Sequence, residues 1–253
     1  MPKKTNLEIK YKEFKQEWNY ETIVILHWWG WSSDSWVEFW EIISKNWFDV
    51  IIPDLPWFWE TNLNYEFNLD EYAKVLIKFI TELGLSDFIL MGHSNWWAIS
   101  IKIANSWLLD IKKLVLNNSA WIRKDKKRSI KRNVLNFLSK WFKKLKWIPW
   151  FSKLRKLSYK IIWSHDYINS EKNIHLKNTY LNVIKEDISA DIKKINIDTL
   201  IIWWEKDTYT PLSDAYFFRN SIKKSKLCIL DNETHWIHLK NPKRLIETFL
   251  KNI

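Results

Sequence analysis

The chain has 253 residues, of which 47% are hydrophobic and 27% are charged, and its formal net charge is +11. These proportions are typical of a soluble globular protein with one large or two small domains, and they exclude an intrinsically disordered chain. No stretch approaches the roughly 18 uncharged apolar residues that a membrane-spanning helix needs. The polar start and the single cysteine, Cys228, predict a cytoplasmic protein with no signal peptide and no disulfide within the chain.

Predicted strands and helices alternate along the chain. Residues 7–16 alternate apolar and charged side chains, as a half-exposed strand does, and Glu17-Trp18-Asn19 indicates a hairpin turn after it. Apolar runs that predict strands buried on both faces lie at 22–27, 48–53, 88–91, 114–116, 199–202 and 226–230. Patterns that predict helices lie at 36–46, 70–83, 97–106, 213–222 and 242–252. This alternation predicts an α/β fold with a mostly parallel central sheet flanked by helices.

One long segment breaks the alternation. Residues 122–190 show helical patterns and no strand, so we predict an α-helical cap, or lid, inserted into a core formed by 1–121 and 191–253. Within it, residues 122–160 hold 15 lysines and arginines against one acid, Asp125, a local net charge of +14. The simplest interpretation is a cap helix with solvated lysines, and the alternative is weak contact with an anionic membrane or an acyl lipid. We expect no nucleic-acid partner, because no base-stacking or groove-reading motif accompanies the charge.

The composition contains an anomaly, twenty tryptophans against three glycines. Average usage of roughly 7% predicts about 18 glycines in a chain of this length. Trp57, Trp59, Trp96 and Trp97 stand in turn motifs where a residue without a Cβ atom is needed. We therefore hypothesise that the gene uses UGA as a glycine codon and that the written sequence translates it as tryptophan. The alternative is a truly tryptophan-rich protein, which UGG codons at these positions would establish.

The motif with the clearest chemistry is Gly92-His93-Ser94-Asn95-Trp96. With glycine at position 96 it becomes G-x-S-x-G, and a predicted strand precedes it while a predicted helix follows it. A sharp strand-to-helix turn of this kind exposes the serine hydroxyl above the sheet. Ser94 is therefore a candidate nucleophile, and the alternative is a solvated turn serine.

A nucleophilic serine needs a base and an acid that orients the base. Asp207 follows the strand predicted at 199–202, at the sheet edge where open α/β sheets place their sites. His235 follows the last predicted strand, and the order Ser94, Asp207, His235 is the chain order of α/β-hydrolases. Glu205 is the rival acid, and His238 competes as the base only if the loop is shifted.

From residue 22 to residue 253 the chain resembles the α/β-hydrolase fold superfamily, in its cap-bearing esterase and carbon–carbon hydrolase branch. Five motifs in the family's order carry the resemblance, and one of them is the serine motif described above. The other four are similar to family motifs when several tryptophans are taken as glycine: His27-Trp28-Trp29-Gly30-Trp31 to H-G-x-G-G, Asp54-Leu55-Pro56-Trp57-Phe58-Trp59 to D-L-P-G-F-G, Trp203-Trp204-Glu205-Lys206-Asp207 to W-G-E-K-D, and residues 235–242 to the histidine loop.

This resemblance implies a role for each site residue. Ser94 would be the nucleophile, His235 the general base and acid, and Asp207 the carboxylate that orients the histidine. The backbone N–H groups of Trp29 and Asn95 would form the oxyanion hole. We expect no cofactor and no metal, because no cluster of His, Cys and Asp has metal-ligand spacing.

The expected function is a cofactor-independent serine hydrolase, most simply a carboxylic ester hydrolase for a small-molecule ester or acyl substrate. A carbon–carbon bond hydrolase of the same fold is the first alternative, because residues that line the pocket decide the substrate. A non-catalytic binding module of the same fold is the second alternative. We expect a monomer or a homodimer. We also expect the polypeptide as written to fold poorly or to be inactive and the glycine version to fold, because bulky side chains at positive-φ turn positions cost on the order of 1–3 kcal/mol each.

Overall fold

The computed structural model describes residues 7–18, 20–27, 29–58, 63, 65–119, 170, 173–207, 210–235 and 237–253. Seven strands form one sheet: β1 (Tyr11–Phe14), β2 (Glu21–Leu26), β3 (Phe48–Pro53), β4 (Phe88–His93), β5 (Ile111–Asn117), β6 (Thr199–Trp204) and β7 (Ser225–Leu230). The strand order is β1-β3-β2-β4-β5-β6-β7, and every neighbouring pair is parallel except β1 with β3. The predicted α/β class with a mostly parallel sheet is confirmed.

Helices connect the strands and cover both faces of the sheet. The described helices are α1 (Val37–Ile43), α2 (Leu69–Glu82), α3 (Trp97–Ser106), α4 (Ile174–Lys185), α5 (Ser189–Ile192), α6 (Leu212–Ser221), α7 (Ile237–Lys240) and α8 (Pro242–Leu250). Side chains of α2, α3 and α6 form one buried apolar layer, and side chains of α1 and α8 form the other. The parallel strands are therefore buried on both faces, which is why their sequences are continuously apolar rather than alternating.

Local sequence signals set the ends of the second helix. The Asn68 side chain accepts a hydrogen bond from the Glu71 N–H at 2.9 Å, and the Glu71 carboxylate accepts one from the Asn68 N–H at 2.9 Å. This capping box satisfies two donors that the first turn of a helix leaves without partners. Gly84 follows the helix with φ of +67°, in the left-handed region that glycine adopts without steric cost.

The hairpin predicted at Glu17-Trp18-Asn19 is wrong. Strand β1 does not pair with β2; it pairs antiparallel with β3, with Tyr11 opposite Pro53. Strand β2 lies between β3 and β4, and its buried apolar run needs a neighbour on each edge. The half-exposed β1 is therefore left at the edge of the sheet, on the far side of β3.

Part of the segment predicted as a cap is described. Helices α4 and α5 lie at its C-terminal end, while residues 122–169, with the whole basic segment 122–160, lie outside the described residues. Helix α4 contacts the chain just before α2, where the Thr179 hydroxyl accepts from the Phe67 N–H at 3.0 Å and Asn182 donates to the Phe67 carbonyl at 3.4 Å. Within the described part of the chain, no helix combines the length and apolar character needed to cross a membrane.

Candidate active site

Ser94 stands at the turn between β4 and α3. Its φ is +54°, in the left-handed region, and a single 3-10 turn, Ser94–Trp96, leads from it into the helix. Gly92 permits this geometry, because a Cβ atom there would lie 3.0 Å from the Cα of Trp97 and closer still to the Ser100 hydroxyl. A left-handed serine costs on the order of 1–3 kcal/mol, and such strain is concentrated at functional sites. The turn holds the serine at the carboxyl end of β4, in the conformation expected of a nucleophile elbow.

The three side chains predicted to act together lie in one hydrogen-bonded chain. Ser94 Oγ lies 3.1 Å from His235 Nε2, and His235 Nδ1 hydrogen-bonds Asp207 Oδ2. All three residues are buried. In the tautomer in which Nδ1–H donates to the carboxylate, the neutral imidazole has a lone pair at Nε2 that can accept a hydrogen bond from the Ser94 hydroxyl.

The carboxylate of Asp207 has further donors around it. Thr210 donates to it from its backbone N–H at 3.0 Å and from its hydroxyl at 2.8 Å, and Asn118 donates from its side-chain amide. Burial raises the pKa of Asp207, but the hydrogen bond and charge of His235 and the donors of Thr210 outweigh it and lower the pKa from 3.8. Asp207 is therefore ionised at neutral pH and faces His235 as a carboxylate.

Sequence reasoning missed the role of Asn118 in this arrangement. Asn117 and Asn118 end the strand next to β6, and the sequence shows only that neither supplies a carboxylate. In the structure, the Asn118 side chain is fully buried and bonds to the acid itself. The signal that could have identified it is an asparagine directly after β5, because β5 lies beside β6, the strand that leads to Asp207.

The rival residues have other partners. The Glu205 carboxylate accepts from the backbone N–H of Asn232 at 3.0 Å, on the turn after β7. The His238 ring stacks on Trp36 with centroids 5.0 Å apart and meets the edge of His93 at 4.7 Å. Burial, together with the nearby charge of His235, lowers the pKa of His238 to about 3, so its ring is neutral at physiological pH. Asp207 is thus the acid that contacts His235, and His238 forms part of the wall behind that histidine.

The two predicted oxyanion donors lie on neighbouring loops. Asn95 directly follows Ser94 in the turn that starts α3, where backbone N–H groups lack partners within the helix. Trp29 follows β2, which pairs with β4 so that Leu26 lies opposite Gly92. The two loops therefore leave the same edge of the sheet side by side. The Trp29 indole is buried against Phe58, with ring centroids 5.0 Å apart.

His27 braces the loop that carries Trp29. Its Nε2 accepts a hydrogen bond from the backbone N–H of Leu55 at 3.3 Å and lies 3.9 Å from the Asp54 carboxylate. Asp54 in turn accepts from the N–H of Ser33 at 2.8 Å. These contacts tie the loop after β2 to the loop after β3. Trp28, in the same motif as Trp29, lies outside the described residues. Among the residues that the structure describes, no group of three or more His, Cys, Asp or Glu side chains could hold a metal ion.

Comparison with known proteins identifies the architecture. No protein-family model matches the chain. The solved structure of MGS-M2, an alpha/beta hydrolase enzyme from a Medee basin deep-sea metagenome library, superposes with a TM-score of 0.71 at 19% identity, covering 96% of this chain and 93% of that one. The chain has the α/β-hydrolase fold. The esterase EaEST from Exiguobacterium antarcticum superposes with a TM-score of 0.73 at 17% identity, covering 96% of this chain and 94% of that one.

One curated protein is similar in sequence over nearly the whole chain. It is the 2-hydroxy-6-oxononadienedioate/2-hydroxy-6-oxononatrienedioate hydrolase 1 of Pseudomonas putida. The two are 21% identical over 254 residues, which cover 91% of this chain and 88% of that protein. The similarity therefore extends over both the amino-terminal and carboxyl-terminal parts of the sheet.

Proposed function

We propose that this protein is a serine hydrolase that cleaves carboxylic esters through a covalent acyl-enzyme. The observation that carries the proposal is the buried chain from Ser94 to His235 to Asp207, which begins at a left-handed serine on a strand-to-helix turn. A hydroxyl, an imidazole and an ionised carboxylate in this order have the geometry of an activated nucleophile. A binding module has no need of all three groups in contact.

The geometry defines the proposed steps. His235 Nε2 removes the proton of Ser94 as Oγ attacks the ester carbonyl carbon, and the resulting oxyanion accepts from the backbone N–H groups of Trp29 and Asn95. The imidazolium then protonates the leaving alkoxide as the carbon–oxygen bond breaks, which leaves Ser94 acylated. A water molecule attacks the acyl-enzyme with His235 again as the base, and the carboxylic acid leaves. Loss of one oxyanion donor typically costs about 10²–10³ in rate.

The alternative function is hydrolysis of a carbon–carbon bond by the same three residues. The similarity to a hydrolase named for two 2-hydroxy-6-oxo dioic acids supports this alternative. The similarity of the fold to an esterase supports ester hydrolysis. A panel of p-nitrophenyl esters of increasing acyl length, assayed beside a panel of 2-hydroxy-6-oxo dienoates, separates the two. A kcat/KM at least 10²-fold higher on the dienoates would overturn the ester proposal.

Active-site labelling separates catalysis from mere binding. The unmodified chain in this test is the written chain or the chain with glycine at the motif tryptophans, whichever has the higher melting temperature. A fluorophosphonate probe is expected to label it covalently at one residue, and Ser94→Ala is expected to abolish the label. Ser106, in the last turn of α3 with its hydroxyl bonded to the Ile103 carbonyl, provides the matched control. Ser106→Ala is expected to label at the rate of the unmodified chain. Absence of label in the unmodified chain, or label that survives Ser94→Ala, contradicts the proposed enzyme.

We propose further that the natural protein has glycine at many of the written tryptophans. Three described tryptophans have left-handed backbones: Trp47 with φ of 74°, Trp57 with φ of 79° and Trp107 with φ of 57°. This region favours glycine and is rare for bulky side chains. Trp57 belongs to a motif already quoted, whereas Trp47 and Trp107 lie outside every motif. They therefore support the glycine hypothesis independently of the family resemblance.

At other motif positions the argument rests on packing. Trp96 has an ordinary φ of −85°, yet its indole is fully buried, as is that of Trp204. The indole N–H groups of Trp57, Trp96 and Trp204 have no hydrogen-bond acceptor among the described residues. Buried indole N–H groups usually find a partner. The indoles of Trp36 and Trp40, which are outside the hypothesis, lack an acceptor within the described part of the chain too, so this observation supports the proposal less than the left-handed backbones do. Trp59, a further position of the hypothesis, lies outside the described residues.

The form of the chain that we propose to be natural has glycine at positions 28, 31, 47, 57, 59, 96, 97, 107 and 204, and we call it the glycine-bearing chain. Its gene should carry UGA at these positions. Mass spectrometry of tryptic peptides from the source cell should give the mass of glycine at each of them. UGG codons or tryptophan masses at positions 47, 57 and 107 would refute the proposal.

A further inference from the structure

Asn118 is the buried polar residue with the most specific connections to the proposed site. It directly follows β5, and its backbone N–H donates to the Ile202 carbonyl at 3.0 Å, which extends the pairing with β6. Its φ is +39°, a left-handed conformation that asparagine tolerates better than most residues. The turn directs its side chain toward the loop that leaves β6.

The Asn118 amide bonds at two points of that loop. Its Oδ1 accepts from the backbone N–H of Trp204 at 2.8 Å, and its Nδ2 donates to the carboxylate of Asp207. The N–H of Asp207 also donates to the Trp204 carbonyl at 3.3 Å, which closes the turn. The Asn118 side chain therefore bonds both to the last residue of β6 and to the acid three residues later.

The asparagine amide satisfies both contacts. The buried Trp204 N–H needs an acceptor and the Asp207 carboxylate needs a donor, and asparagine offers one of each. An aspartate of the same shape would keep the acceptor but place a second carboxylate against Asp207. An alanine would remove the acceptor of the buried Trp204 N–H and one donor to the buried Asp207 carboxylate, and such losses lower the free energy of unfolding.

We infer that Asn118 is a positioning residue that holds the Asp207 carboxylate in line with His235. The inference rests on the function proposed above. Asn118 touches neither the serine nor the oxyanion loop in any described contact; it acts through Asp207, whose Oδ2 also accepts from His235 and Thr210. A carboxylate held by fixed donors keeps the imidazole oriented toward Ser94, and a misplacement of about 1 Å costs on the order of 10²-fold in rate.

The test compares Asn118→Asp, Asn118→Ala and a control, Asn117→Ala, in the full chain. Asn117 is the adjacent buried amide, and its side-chain nitrogen and oxygen have no hydrogen-bond partner among the described residues. The variants are made in whichever of the written and glycine-bearing chains has the higher melting temperature. We expect Asn118→Ala to lower kcat by about 10²-fold with little change in KM. We expect Asn117→Ala to leave kcat unchanged.

Asn118→Asp separates positioning from mere support of the turn, because it keeps the acceptor for the Trp204 N–H. A carboxylate at position 118 repels Asp207 where the amide had donated to it, so Asn118→Asp should lower kcat by about 10²-fold, as Asn118→Ala does. If Asn118 only supports the turn, Asn118→Asp keeps the kcat of the unmodified chain, and the inference is refuted.

A spectroscopic measurement keeps the test independent of turnover. The His235 Nδ1–H bound to Asp207 should give a far-downfield proton resonance, which Asn118→Ala and Asn118→Asp should shift and Asn117→Ala should not. An unchanged resonance in both Asn118 variants would overturn the inference. Failure of the fluorophosphonate to label the unmodified chain would instead contradict the proposed function, while this resonance still decides the role of Asn118.

Discussion

Two exposed tryptophans offer a direct test of whether this chain is built for glycine. Trp47 follows a 3-10 turn with φ and ψ of 74° and 22°, and Trp107 follows α3 with 57° and 16°. Both stand where a left-handed residue, usually glycine, ends a helix. Their side chains are 60% and 63% exposed, so removing either indole exposes little buried surface. We predict that Trp47→Gly and Trp107→Gly stabilise the protein relative to Trp47→Ala and Trp107→Ala.

The comparison with alanine isolates the backbone effect. Both replacements remove the indole, including the contact of Trp47 with the Tyr20 ring at 6.0 Å, but only glycine removes the Cβ atom. A left-handed residue with a Cβ costs roughly 1–2 kcal/mol, and the greater backbone freedom of unfolded glycine offsets about 0.5–1 kcal/mol of the gain. Each site should therefore favour glycine over alanine by about 0.5–1 kcal/mol. With both sites changed, the melting temperature should differ by roughly 2–8 °C.

Unfolding in urea should be followed by circular dichroism, because the substitutions change tryptophan fluorescence directly. The double glycine and double alanine variants are compared at equal m-values, so that the midpoints report stability. Trp18 provides the control, since it is 66% exposed and its φ is not positive. Trp18→Gly should give no advantage over Trp18→Ala. Equal stability of the glycine and alanine variants at both Trp47 and Trp107 would refute the backbone argument.

Three further predictions concern the site and its supports. Gly92→Ala should destabilise the chain by about 1–3 kcal/mol in urea unfolding, because its Cβ would lie 3.0 Å from a backbone carbon; an unchanged midpoint would contradict this packing. Asp207→Asn should lower kcat on the best ester by about 10⁴-fold by imposing the wrong tautomer on the histidine, and a loss below tenfold would exclude that role. His238 stays neutral in the folded state down to a pKa of about 3, whereas the unfolded residue gains a proton below about 6.5. Stability should therefore fall with decreasing pH across that window by up to about 1.4 kcal/mol per unit, and His238→Asn should flatten the decline measured in urea titrations at each pH.

The sequence predicted the strands and helices well because local periodicity decides them. The apolar runs at 88–91 and 199–202 became central parallel strands, and the pattern at 70–83 became α2 with Asn68 as its cap. The pairing of β1 was wrong because neighbours in sequence need not be neighbours in a sheet. Strand β2 pairs with β3 and β4 instead, although the short turn before it suggested a hairpin with β1.

The candidate site was predictable only in part. Ser94, Asp207 and His235 each follow a recognisable strand, so motif and chain order singled them out. Asn118 was missed because its bond to Asp207 joins residues 89 positions apart. No pattern along the chain encodes such a contact.

The sequence by itself determined which segments are strands and helices, which three residues are candidates for chemistry, and that tryptophan is abundant in motifs where we expect glycine. These properties depend on the periodicity and identity of residues close together in the chain. Only the tertiary structure decided the strand order, the bond from Asn118 to the acid, and the left-handed backbones at Trp47 and Trp107. Those features depend on where distant segments meet and where each helix ends, and packing of the whole chain fixes both.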